Sequence, residues 1–194
     1  VLACCVTASS AADFQVYGSI DNSLSYIKAK GQDGLFSMYA SNDLSSKIGF
    51  TGTEKLTDTT YIRFKLENGF SPDTGALAVK DTLFNRESSV VIGGSWGELG
   101  WGRFGTLFTG IGTYGQIGKM GMNPCGTNWH DGAMSGAFTK TGQVSNALVY
   151  QVSPTENLTL IGLYSNGAEE QDWADEDHLY QAAVRWKLND LTLG

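Results

Sequence analysis

The feature that most constrains this chain is the strict two-residue alternation in residues 46–70, SKIGFTGTEKLTDTTYIRFKLENGF. Ile48, Phe50 and Leu56 share one face of the first half, against Lys47, Gly49, Thr51, Thr53 and Lys55 on the other. In the second half Thr60, Ile62, Phe64, Leu66 and Phe70 oppose Tyr61, Arg63, Lys65 and Glu67. Side chains change face at every residue only in an extended chain, so the stretch predicts two strands joined by a polar turn at residues 56–59. A soluble sheet would press the apolar face onto a core. A membrane barrel turns that face to lipid and lines a watery lumen with the polar one.

Composition narrows the choice. With 41% hydrophobic residues and no long apolar run, the chain holds no candidate transmembrane helix. Glycine is abundant, 25 residues against 3 prolines, and it falls inside strand-like segments as well as loops, which fits an all-β chain. A net charge of -7 argues against nucleic acid as a partner. Of the 3 cysteines, Cys4 and Cys5 are adjacent near the start and Cys125 stands alone, so neither a disulfide framework nor a metal-ligand spacing is suggested. Residues 1–12, VLACCVTASSAA, read as the remnant of a secretory signal with a cleavage site at Ala11 or Ala12. The Val1-Leu2-Ala3-Cys4 form of a lipoprotein signal is the competing reading.

Further alternating segments follow. Residues 13–28 place Phe14, Val16, Ile20, Leu24 and Tyr26 on one face, long for a globular strand, and residues 29–45 read as a loop. Strands are expected over 84–95, where Ser88 and Ser89 blur the alternation, and then over 98–105, 143–153, 157–165 and 178–188, with another begun at 191. The last full strand sets Tyr180, Ala182, Val184, Trp186 and Leu188 against Gln181, Arg185 and Lys187. Short turns near Thr57, Trp96, Pro154 and Asn189 alternate with long connections, as in bacterial barrels. Tyr26, Tyr61, Tyr150, Tyr164, Tyr180 and Trp186 are candidate girdle aromatics. The expected fold is an all-β transmembrane antiparallel barrel of which residues 13–194 supply about eight strands, an even-numbered closure requiring more chain.

At this point the residues resemble a known family, the trimeric general porins of the Gram-negative outer membrane. The resemblance rests on Val16-Tyr17-Gly18-Ser19-Ile20-Asp21, Lys47-Ile48-Gly49-Phe50-Thr51-Gly52-Thr53-Glu54, Leu66-Glu67-Asn68-Gly69-Phe70, Phe84-Asn85-Arg86 and Gly102-Arg103, in that order. It covers roughly the first half of a porin whose barrel usually has about 16 strands. It implies a passive channel for ions and small hydrophilic solutes, set among outer-membrane lipid and lipopolysaccharide as a homotrimer, with no cofactor and no enzymatic activity. It further implies that residues 106–142 form a loop folded into the lumen, faced by a cationic wall of Arg63, Lys65, Arg86 and Arg103. Asp131 is the only carboxylate of that loop, beside Lys119 and His130, so the acidic cluster usual in the family is thin. Gln143 stands where relatives often carry a wall Arg.

Other readings compete. Gly93-Gly94-Ser95-Trp96-Gly97 matches a nucleophile elbow, with His130 or His178 as a conceivable base, but the elbow needs a helix after the serine and residues 98–105 read as strand. The two G-x-G-x-x-G matches, at residues 100–105 and 110–115, open no helix and predict no pyrophosphate site. The acidic stretch 169–177 fits no calcium-loop spacing and reads as a solvated loop, with cation bridging to lipopolysaccharide as a further option. A closed outer-membrane barrel acting as adhesin or enzyme, and a secreted soluble β-sandwich with a binding role, remain the alternative functions.

Overall fold

The computed structural model describes residues 13–40, 45–115, 142–167, 178–188 and 191–193. Its strands are β1 Asp13–Ser19, β2 Asn22–Ile27, β3 Leu35–Ala40, β4 Lys47–Lys55, β5 Thr60–Gly69, β6 Glu87–Gly94, β7 Gly97–Gly105, β8 Gln143–Thr155, β9 Leu158–Ser165, β10 Leu179–Leu188 and β11 Leu191–Leu193. Nine of them form one antiparallel sheet in the order β1-β4-β5-β6-β7-β8-β9-β10-β11, and β2 and β3 pair separately. From β4 onward each strand thus lies beside its chain neighbour.

The expected hairpin is β4–β5, with Phe50 opposite Leu66 and Thr53 opposite Arg63. At the same end of the sheet as its turn lie the connections at residues 95–96 and 156–157; residues 70–86, 106–142 and 166–178 join strands at the opposite end. Several boundaries differ from the sequence expectation. Residues 13–28 do not form one strand: β1 ends at Ser19 and pairs with β4, whereas β2 pairs only with β3, so the girdle candidate Tyr26 lies outside the nine-stranded sheet. Residues 84–86 precede β6, which begins at Glu87. Residues 29–45 are not simply a loop, because Leu35–Ala40 forms β3 and extends a hairpin in which Tyr26 faces Phe36 and Leu24 faces Met38. Pro154 lies within β8, near its end, where the register shifts between Val152 and Thr155 and a residue without an N–H can be accommodated.

Register resolves the strands that periodicity left open. In β6, Glu87, Ser89, Val91 and Gly93 are on the buried side, while Ser88, Val90 and Ile92 fall in columns with Leu66, Phe64 and Ile62. Those columns continue through Trp101, Leu148, Tyr164 and Tyr180, and through Leu99, Tyr150, Gly162 and Ala182. The result is a bare apolar face: Phe14, Val16, Ile48, Leu99, Trp101, Leu148, Tyr150, Leu160, Tyr180, Val184 and Trp186 are all exposed. An exposed apolar area of this extent marks a surface made to meet lipid or another protein.

Aromatic pairs mark both ends of this face. Trp96 stacks on Tyr150 near the short turns, with centroids 6.3 Å apart. Tyr164, His178 and Tyr180 cluster near the long connections. Of the candidate girdle residues, Tyr61 belongs elsewhere, since its column partner Gly93 and its bond to Glu98 place it on the opposite face.

The buried apolar residues lie on that opposite face. Val91, Phe104, Val144, Ala147, Val149, Ile161 and Leu163 of the sheet pack with Leu107 and Tyr114 from the connection after β7. This explains why β9 is apolar on both sides. Ile161 and Leu163 are covered by chain, and Leu160 on the other side is bare.

Candidate inner wall and its loop strap

The charged residues of β5 project from alternate positions onto the covered face, and register sets acidic partners beside them. Arg63 lies level with Val91 and, through it, Gly100, two small or apolar neighbours that leave its guanidinium free to reach Glu98 on β7. That ion pair measures 3.2 Å between Arg63 Nη2 and Glu98 Oε2. Glu98 also accepts from the Tyr61 hydroxyl and, at 2.9 Å, from the Tyr114 hydroxyl. Two residues along β5, Lys65 Nζ sits 2.9 Å from Glu87 Oε2 and 3.8 Å from Glu67 Oε2. Glu67 is paired in turn with Arg86 Nε at 2.6 Å and accepts from the Tyr17 hydroxyl at 2.6 Å.

Glu87 is the most enclosed of these groups, with no exposed side-chain surface. A buried carboxylate persists as an anion only where charge and donors replace its water. Here the ammonium of Lys65 is joined by Ser89 Oγ at 3.1 Å, Thr113 Oγ1 at 2.6 Å and the Thr113 N–H at 3.0 Å. Gly112 makes this approach possible. It holds φ +78, and a Cβ there would lie 3.2 Å from Glu87 Oε2 and 3.0 Å from the Gly105 nitrogen.

Residues 106–115 therefore lie across the covered face as a strap. Thr106 N–H donates to Gly142 O at 3.0 Å, closing the neck of the long connection. Leu107 N–H donates to Gln181 Oε1 of β10 at 2.8 Å, while Thr113 and Tyr114 reach β6 and β7. The Tyr114 ring meets Phe104 edge-on at 5.6 Å. Burial, then the neighbouring Glu98 charge, push the Tyr114 hydroxyl far above its usual range, so it remains a donor.

The structure thus brings Arg63, Lys65 and Arg86 together but sets Arg103 apart. By register Arg103 falls in the column of Ser88 and Leu66, and its guanidinium bonds Asn85 O at 2.7 Å and Ser145 Oγ at 2.8 Å, both uncharged. Asp131, Lys119 and His130 lie outside the described residues, as do residues 1–12 and 168–177. Glu67, Glu87 and Glu98 are the residues that pattern reading passed over as site members. Their position on the charged face was the available signal. The serine of the elbow-like Gly93–Gly97 run sits in the β6–β7 turn and strand β7 follows it directly. Among the described residues no group of His, Cys, Asp and Glu is arranged to hold a metal ion.

An apolar face bared to its surroundings, a charged face crossed by a strap, and short turns opposed to long connections have a counterpart in sequence: residues 1–194 match the family of Gram-negative porins. The chain belongs to that family. An outer-membrane porin protein of Bordetella pertussis is 28% identical over 173 residues, which are 81% of this chain and 43% of that protein. The anion-selective porin of Comamonas acidovorans superposes with a TM-score of 0.63 at 19% identity, covering 93% of this chain and 55% of the other. OmpT, an outer-membrane protein of Vibrio cholerae, superposes with a TM-score of 0.56 at 15% identity over 97% of this chain and 49% of its own. This porin chain spans about half the length of the relatives it matches. Its sheet is part of an outer-membrane β-barrel, and its bare apolar face is the lipid-facing one.

Proposed function

We propose that this porin is a passive diffusion channel for ions and small hydrophilic solutes across the outer membrane, working as a homotrimer and without bond-making chemistry. The observation that carries this reading is the division of the sheet: lipid-facing apolar columns on one side, and on the other a charged wall crossed by a strap that narrows the space before it. Arg63, Lys65 and Arg86, with Glu67 and Glu98, would line the lumen, and Glu87 would anchor the strap beneath them. Asp131, Lys119 and His130 would follow farther along the same inward loop.

The wall charges carry a consequence for selectivity. Each of Arg63, Lys65 and Arg86 has a carboxylate on the wall itself, so the local dipoles run along the wall instead of across the lumen. A field between wall and loop, the arrangement the sequence resemblance implies, is correspondingly reduced here. Ion preference then depends on charges beyond this balanced group.

Swelling of liposomes containing the protein, in sugars of graded size, tests the reading. Rates that fall smoothly with sugar size and do not saturate are expected. Saturable uptake of one sugar, or no swelling with folded protein, would overturn it.

A further inference from the structure

We propose that Thr113 and Tyr114 are the positioning residues of the inward loop, two hydrogen-bond hooks that hold the strap on wall carboxylates Glu87 and Glu98 and so set the lumen cross-section at this level. The proposal rests on the channel reading above and goes beyond it by assigning the loop's placement to particular side chains instead of to attraction across the lumen.

Three observations carry it. First, the strap crosses the sheet instead of following one strand. Leu107 is tied to Gln181 on β10, Tyr114 to Glu98 on β7 and Thr113 to Glu87 on β6. In the sheet order these attachments bracket β8 and β9, so the limb spans five neighbouring strands. Second, the Thr113 attachment is two-pronged. Its N–H and its hydroxyl bond the two oxygens of one fully buried carboxylate, at 3.0 Å to Oε2 and 2.6 Å to Oε1. Hydrogen bonds to an ionised acceptor shielded from water are the strong kind. Third, the carboxylates are already neutralised from the wall side, Glu87 by Lys65 and Glu98 by Arg63. The hooks therefore add position without adding charge.

That third point separates this proposal from an electrostatic one. Thr113→Val and Tyr114→Phe keep side-chain size and remove only hydroxyls, so every fixed charge of the wall stays in place. A loop held by charge would not respond. A loop held by these hooks would leave the wall more often, by roughly tenfold or more for each charge-assisted hydrogen bond lost.

The test is single-channel recording on the membrane-extracted protein carrying Thr113→Val, Tyr114→Phe or both, with Thr113→Ser as the variant that restores the hydroxyl. Unitary conductance, open-channel noise and reversal potential in a salt gradient are read together. Thr113→Val and Tyr114→Phe are expected to raise noise and change conductance, the double variant most, while reversal potential stays at the parental value and Thr113→Ser behaves as the parent. Parental conductance and noise in both single variants would overturn the proposal. So would equal disturbance by Thr113→Ser and Thr113→Val. If the double variant does not fold, the single variants decide. Absence of any steps from the folded, unsubstituted protein would instead defeat the channel reading itself.

Discussion

Replacing Lys65 by Met should be among the most damaging single changes to this wall, and the structure says why. The Lys65 ammonium lies 2.9 Å from Glu87 Oε2, and Glu87 has no exposed side-chain surface while Lys65 keeps 20% of its own. Met preserves the stem but leaves the buried carboxylate with only the Ser89 and Thr113 donors. Breaking a buried ion pair from one side costs about 3–5 kcal/mol. The reverse change, Glu87→Gln, should cost distinctly less, because Lys65 is nearer water and retains Glu67 at 3.8 Å. In the double variant no buried charge is stranded, so its loss should be smaller than the sum of the two, with a coupling of about 1–3 kcal/mol. Urea unfolding of the vesicle-inserted protein, followed by tryptophan fluorescence, measures all three. A Lys65→Met loss within the roughly 0.5 kcal/mol of an ordinary surface substitution would refute the reasoning.

Other consequences follow from the same wall and strap. Val90, between Phe64 and Trp101 on the lipid-facing side, should not tolerate Arg, at about 2–4 kcal/mol near mid-membrane, whereas Gln151→Arg on the charged face, opposite Glu98, should fold normally. Folding yield into vesicles compares them. Phe104→Ala should open a cavity between wall and strap, costing about 3–5 kcal/mol by urea titration, since Phe104 is fully buried against Tyr114. Gly112→Val should unseat the strap, because φ +78 strains a β-branched residue and its Cβ would press to 3.0 Å from the Gly105 nitrogen and 3.2 Å from Glu87 Oε2; increased protease sensitivity of residues 106–115 in the intact protein would show it.

Much of the fold was legible because a sheet with lipid on one side and water on the other writes its period directly into the chain. Residues 46–70 gave both strands, the turn and both faces, and β10 was read in full from Tyr180 to Leu188. Legibility failed where a second layer intervenes. In β9 the extent of the strand was legible, but that Ile161 and Leu163 are buried with Leu107 and Tyr114 of the strap was not, because both faces of the strand are apolar. In β6, Ser88 sits on the lipid-facing side with Arg103 of β7 in the same column, so polarity there does not report the face. β3 was hidden for a different reason: Gly31 and Gly34 and the polar residues around them mask the short apolar run from Leu35 to Met38. The site divided in the same way. Arg63 and Lys65 were readable from alternation, but their pairing to Glu98 and Glu87 and the reach of Thr113 back to β6 are contacts between distant parts of the chain that no local pattern records.

The most direct test of the account is planar-bilayer conductance of the protein extracted from outer membranes in mild detergent, with reversal potentials taken in a salt gradient. The account predicts persistent ohmic steps that scale with bulk salt conductivity. Folded, heat-modifiable protein that produces no steps would contradict it and assign this barrel wall to a closed structure.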